Sequence, residues 1–153
     1  MQRIAVEPPR QPEAEELLAL GAAYAHSLYP PGACFLLDVA TLELPGVTFY
    51  VARVHGCAAL VTPSQAGADA GELKRMFVRA EARGTGVAGA ILGRIESDAP
   101  AVGLERIVLE TGTRHTAALS FYPRHGYKPV PQFGEYVGEE FSVCFAKDLL
   151  PGR

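Results

Sequence analysis

The chain has 153 residues, of which 48% are hydrophobic and 20% charged, values that fit one globular domain and exclude disorder, collagen and a disulfide-dense scaffold. Fourteen Lys and Arg against seventeen Asp and Glu leave a net charge of −3. With no basic cluster, the phosphate-neutralising attraction that drives nucleic-acid binding is missing, and no nucleic-acid partner is expected.

Along the chain, a short apolar start over residues 4–6 precedes a helix over residues 12–29. Pro12 suits its first turn, while Glu13, Glu15 and Glu16 suit the positive end of the helix dipole. Leu17, Gly21, Tyr24 and Leu28 recur every three to four positions and predict one apolar face. The runs VTFYVAR and CAALV read as strands joined through Val54, His55 and Gly56, an antiparallel hairpin. ELKRMFV, residues 72–78, reads as a third strand. A helix follows over residues 86–97, with Val87, Ile91 and Ile95 four apart on its apolar face. RIVLE, residues 106–110, returns as a strand, so the strand, helix, strand order predicts a parallel crossover. A second short helix covers residues 115–122 and is expected to stop there, because Pro123 lacks an amide proton. GYKPV and FSVCFAK close the chain as two strands. The expected fold is a single α/β domain over residues 1–153. Its mixed sheet has an antiparallel front half, one parallel crossover and helices on both faces.

The chemically pointed segment is Arg83, Gly84, Thr85, Gly86, Val87, Ala88 and Gly89, set between a strand and a helix. A turn with so little side chain lets a polyanion reach the backbone, and the free N–H groups of the helix start point at it. This is a pyrophosphate cradle with Arg83 at its rim; a glycine-rich connection without a ligand is the plain alternative. No Lys-Ser or Lys-Thr pair follows, which excludes a P-loop. The letters 84–89 also match the dinucleotide fingerprint GxGxxG, but the chain left after Gly89 cannot build the second half of a doubly wound sheet.

The segment ELKRMFVRAEARGTGVAGAILGRIE resembles the central motif of the GNAT superfamily of acyl-CoA N-acyltransferases, whose Arg/Gln-x-x-Gly-x-Gly/Ala pattern is met by Arg83, Gly86 and Ala88. A second family stretch, Asn-x-x-Ala-x-x-x-Tyr followed by Gly-Phe or Gly-Tyr, is matched by His115, Ala118, Tyr122 and Gly126-Tyr127. His115 replaces the usual Asn, and Pro123 stands where a charged residue is common. The ending FGEYVGEEFSVCFAKDL resembles a bacterial small-molecule branch. The resemblance implies transfer of an acetyl group from acetyl-CoA to the amine of a small molecule in a ternary complex, with pantetheine between ELKRMFV and RIVLE. It implies cofactor contacts from Met76, Phe77 and Val78, from the 83–89 turn, and from His115, Ala118 and Tyr122. A catalytically silent acyl-CoA-binding or regulatory domain is the alternative.

The chemistry needs a base, since a lysine-like amine with a pKa of about 10.4 is protonated near neutral pH. Glu72 is the candidate, against an ion pair with Lys74 on the same strand face. Tyr122 matches the family's proton donor to the leaving thiolate, with a core tyrosine as the plain alternative. Tyr29 and Tyr136 are candidate walls of the acceptor pocket. Arg75, a charge inside a central strand, either anchors an acceptor carboxylate or pairs with Glu110 on the neighbouring strand. No metal is expected, because His26, His55 and His125 lack ligand spacing. Cys34, Cys57 and Cys144 show no CxxC and read as buried small hydrophobes in a reducing cytoplasm. MQRIAVEPPR has no apolar signal region, and no apolar run nears the roughly 18 residues of a membrane helix, so a cytoplasmic location without membrane partners is expected. A homodimer stays open.

Overall fold

The computed structural model describes residues 3–53 and 55–149. Val54, expected in the hairpin turn, lies outside them. Among the described residues, β1 (Ile4–Val6), β2 (Val47–Ala52), β3 (Gly56–Val61), β4 (Ala70–Val78), β5 (Arg106–Gly112), β6 (Lys128–Val130) and β7 (Ser142–Asp148) form one sheet. Their order is β1-β2-β3-β4-β5-β7-β6. β4 and β5 run parallel and every other neighbouring pair is antiparallel, as the strand, helix, strand pattern predicts.

Helices cover both faces. α1 (Pro12–Leu28) and the short α2 (Val39–Leu42) pack Ala14, Leu17, Leu18 and Leu42 on Phe49, Val51, Cys57 and Ala59. α3 (Val87–Asp98) lays Val87, Ile91 and Ile95 on the other face, where they meet Leu60, Leu73, Ile107, Leu109 and Phe145. Fully burying each such side chain contributes roughly 1.5–3 kcal/mol, so this cluster fixes α3 and the turn that leads into it. Tyr24 and Leu28 were expected on the apolar face of α1, yet its buried side chains are Ala14, Leu17, Leu18 and Ala25. The stripe is thus rotated toward small residues, which lets the helix sit close to the sheet.

α4 (Thr116–Arg124) corrects the expected stop at Tyr122, because it runs through Pro123. The proline stands in the last turn, where its missing proton removes a single helical bond. The N–H groups of His125 and Tyr127 both bond the Tyr122 carbonyl and close the end. α2 lies outside the expected elements, and Asp38 caps it by accepting the Thr41 N–H at 2.8 Å. Cys57 and Cys144 are buried, whereas Cys34 is half-exposed; all three are free thiols.

Candidate functional site

Two features of β4 open the site. Cys57 faces Phe77 and Ala59 faces Lys74, so β4 spends one more residue than β3 between these points, a β-bulge. Within it Arg75 takes φ 57, the left-handed region. Such bulges bend a strand. The parallel ladder with β5 is recorded from Ala70–Arg106 to Leu73–Leu109, and beyond it the strands separate. Between them lies a cleft of about 650 Å³, lined by Met76, Phe77 and Val78 on the β4 side and by Glu110, Thr111 and Gly112 on the β5 side.

At one end of the cleft stands the glycine turn. Gly84 and Gly86 have φ 78 and φ 90, and a Cβ built on either would meet nothing within 4 Å. Their backbone is therefore both left-handed and open to a ligand. Gly86 precedes the first turn of α3, where the buried Val87 lines the cleft together with Ala88 and Gly89. Thr85 braces the turn by donating its hydroxyl to the Ala82 carbonyl. Arg83 donates Nε to the Val78 carbonyl at 3.1 Å, and its guanidinium lies over the rings of Tyr24 at 5.3 Å and Phe77 at 5.8 Å. The free helix N–H groups, the open glycines and a nearby cation fit a pyrophosphate.

Across the cleft, α4 presents Ala118 and Tyr122. Tyr122 is only 6% exposed and packs on Phe121, Tyr127 and Phe145. Its hydroxyl has no hydrogen-bond partner among the described residues and is not sealed off. Burial pushes the phenol above its ordinary pKa, so it stays protonated. His115 directly precedes α4, and its Nδ1 lies 2.9 Å from the Tyr29 hydroxyl, with the two rings stacked at 5.4 Å. The same hydroxyl accepts the Arg114 N–H at 2.9 Å. Tyr29 passes so close to Gly112 that a Cβ there would stand 1.9 Å from its oxygen. Burial lowers the His115 pKa, favouring neutral imidazole. This pair joins the end of α1 to the start of α4, and no short-range signal in the sequence announces it.

The remaining expected residues divide. Glu72 is 2% exposed and accepts the Tyr136 hydroxyl at 2.6 Å. Tyr136 in turn accepts Lys74 Nζ at 2.7 Å, and Lys74 lies 3.9 Å from Glu72. Gln65 donates to the other Glu72 oxygen at 3.2 Å. Glu72 faces a separate cavity of about 230 Å³ with Gln65 and Glu135, while Lys74 reaches both spaces. Tyr136 is fully buried and does not line the main cleft. Arg75 is not paired with Glu110. The bulge turns its guanidinium toward the backbone carbonyls of Leu18, at 2.7 Å, and Leu37. Glu110 instead faces the cleft and accepts the Ser142 hydroxyl at 2.7 Å. Among the described residues no cluster of three or more His, Cys, Asp or Glu could hold a metal, and no helix is long and apolar enough to cross a membrane.

A sequence profile of the acetyltransferase (GNAT) domain matches residues 45–129. The chain is 37% identical over 150 residues to a protein named IAA acetyltransferase from Azospirillum brasilense, spanning 95% of this chain and 97% of the relative. A Klebsiella pneumoniae protein assigned as an acyl-CoA N-acyltransferase superposes with TM-score 0.80 at 26% identity, covering 98% of this chain and 99% of that one. A GNAT-family acetyltransferase from Elizabethkingia anophelis with acetyl-CoA bound shares the fold, with TM-score 0.68 and 16% identity over 95% of this chain and 97% of that one.

Proposed function

The chain belongs to the GNAT acetyltransferase family, and from that premise we propose that it transfers an acetyl group from acetyl-CoA to the amine of a small molecule by direct attack in a ternary complex. The observation that carries the reading is one continuous cleft that joins the open Gly84 and Gly86 turn to the splayed strands and to the Tyr122 hydroxyl. The turn and the α3 N-terminus hold the pyrophosphate. The gap between β4 and β5 takes the pantetheine, with His115 and Ala118 along its α4 wall. Beyond Leu73 the edge of β4 facing β5 has left its ladder, so backbone N–H groups among Met76, Phe77 and Val78 stabilise the oxyanion.

The amine nitrogen forms its bond to the acetyl carbon, the carbonyl oxygen takes the negative charge, and collapse of this tetrahedral oxyanion breaks the carbon–sulfur bond. Tyr122 gives its proton to the departing sulfur, a service of general acids worth about 10²–10⁴-fold. A protonated amine gives up two protons in becoming an amide. One restores Tyr122 and the other leaves to solvent. The free thiols suit a reducing cytoplasm as the place of action.

The test measures CoA binding by calorimetry and thiol release from acetyl-CoA against a panel of amines. Binding together with amine-dependent thiol release is expected. Tight binding with no turnover on any amine would establish the silent acyl-CoA-binding domain instead.

A further inference from the structure

An amine that attacks a thioester must first lose a proton, and the carboxylate which the sequence puts forward for this is buried. Both Glu72 oxygens are engaged, one by Tyr136 and one by Gln65, and its side chain faces the smaller cavity. We propose that Glu110 is the catalytic carboxylate that takes the acceptor amine's proton, that Ser142 is its positioning residue, and that Glu72 serves as the buried counter-charge of Lys74. The proposal rests on the acetyl-transfer reading and names the base within it.

Leu73 and Leu109 are the last recorded partners of the parallel ladder. Lys74 and Glu110 are therefore the first residues beyond it, one on each strand at the point where the gap opens. A thioester at the end of a pantetheine lying in that gap arrives beside them. Strand alternation sends Leu109 into the core under α3 and Glu110 to the opposite side, where it lines the cleft.

The two oxygens of Glu110 differ in their partners. Ser142 on β7 holds Oε2 at 2.7 Å. Oε1 has no hydrogen-bond partner among the described residues and is not closed off from the cleft. One oxygen is thus fixed and the other is free for a proton. The surrounding charge favours a cation: Glu72 and Glu135 stand with Glu110 around the single ammonium of Lys74, which Tyr136 and Glu72 already engage. Tyr29, Cys34, Tyr136 and Cys144 complete the titratable groups that interact with Glu110. Burial raises the Glu110 pKa, while the Ser142 bond and Lys74 lower it. These opposed influences suit a base that must pick up a proton from an ammonium and release it to water.

In the step, the ammonium transfers one N–H proton to Glu110 Oε1, and the freed nitrogen lone pair attacks the acetyl carbon. Glu110 passes its proton to solvent after product leaves, which closes the balance with the proton that restores Tyr122.

The experiment compares wild type, Glu110→Gln and Ser142→Ala on two acceptors: the best alkylamine of the panel, and its oxyamine analogue, whose nitrogen is neutral at the assay pH. Glu110→Gln should lower kcat on the alkylamine by about 10² or more, leave the CoA Kd within a few-fold, and lose at least tenfold less on the oxyamine. Ser142→Ala removes a bond that lowers the Glu110 pKa, so the acidic limb of kcat/KM should move to higher pH while the plateau rate is kept. A merely structural residue would scale the rate at every pH and on both amines. Equal losses on the two acceptors, or none, overturn the role of Glu110 alone. A wild type that binds CoA and acetylates neither amine overturns the acetyl-transfer reading and this role with it.

Discussion

Replacing Gly86 by Glu tests the cradle most directly. Gly86 holds φ 90 and ψ 6 with nothing within 4 Å of a built Cβ, so a side chain there meets no steric clash in the free protein and pays only in backbone conformation. Placing an L-residue in the left-handed region costs roughly 1–2 kcal/mol. At about 2–4 °C per kcal/mol for a chain of this size, Tm should fall by roughly 2–8 °C and the fold should survive. The effect on CoA is far larger. Two like charges about 4 Å apart near a protein surface repel by about 4 kcal/mol, which corresponds to an affinity loss on the order of 10³-fold. Gly86→Ala is the control, since it carries the same backbone cost without the charge. Calorimetric titration with CoA, alongside circular dichroism and thermal melts of both variants, separates the two contributions. A folded Gly86→Glu protein that binds CoA as wild type does would refute the placement of the pyrophosphate at this turn.

Three further outcomes follow from the same geometry. Tyr122→Phe removes the open hydroxyl and keeps the ring packing, so kcat should drop by about 10² or more with the acetyl-CoA Kd within a few-fold; turnover equal to wild type would make Tyr122 a packing residue. Arg75→Gln gives up charge-assisted bonds to the Leu18 and Leu37 carbonyls, so urea unfolding should show a loss of about 2 kcal/mol or more. Its preference between acidic and neutral amines should not change, whereas a selective rise in KM for acidic amines would establish Arg75 as the carboxylate anchor. His115 has its native pKa lowered by burial from an ordinary 6.5, so the unfolded chain binds the extra proton first and the stability contribution is full above about 6.5 and lost as pH falls toward the native value. Denaturation midpoints measured from pH 8 to pH 5 should show a drop through this window that is smaller in His115→Asn, and equal slopes in both proteins would contradict it.

What the sequence could say by itself concerned short-range order. Periodicity of four places Val87, Ile91 and Ile95 on one side of a helix, and alternation puts Glu72 and Lys74 on one face of a strand, because both depend only on local backbone geometry. The turn from Arg83 to Gly89 was legible for the same reason: glycines at a helix start need no distant partner to expose N–H groups. The chain could not show which face a charged residue finally serves. Arg75 reads as an acceptor anchor or a partner of Glu110, and the fold gives it the Leu18 and Leu37 carbonyls instead of Glu110. Glu72 reads as a base or as a partner of Lys74, and only the fold brings Tyr136, 64 residues away in the chain, to hydrogen-bond it. Glu110 gains its place only because the β4–β5 ladder ends one residue before it and β7 brings Ser142 alongside. Burial, hydrogen-bond partners and access to the cleft are set by strand register and by elements folding back from far along the chain, and these are properties of the assembled sheet.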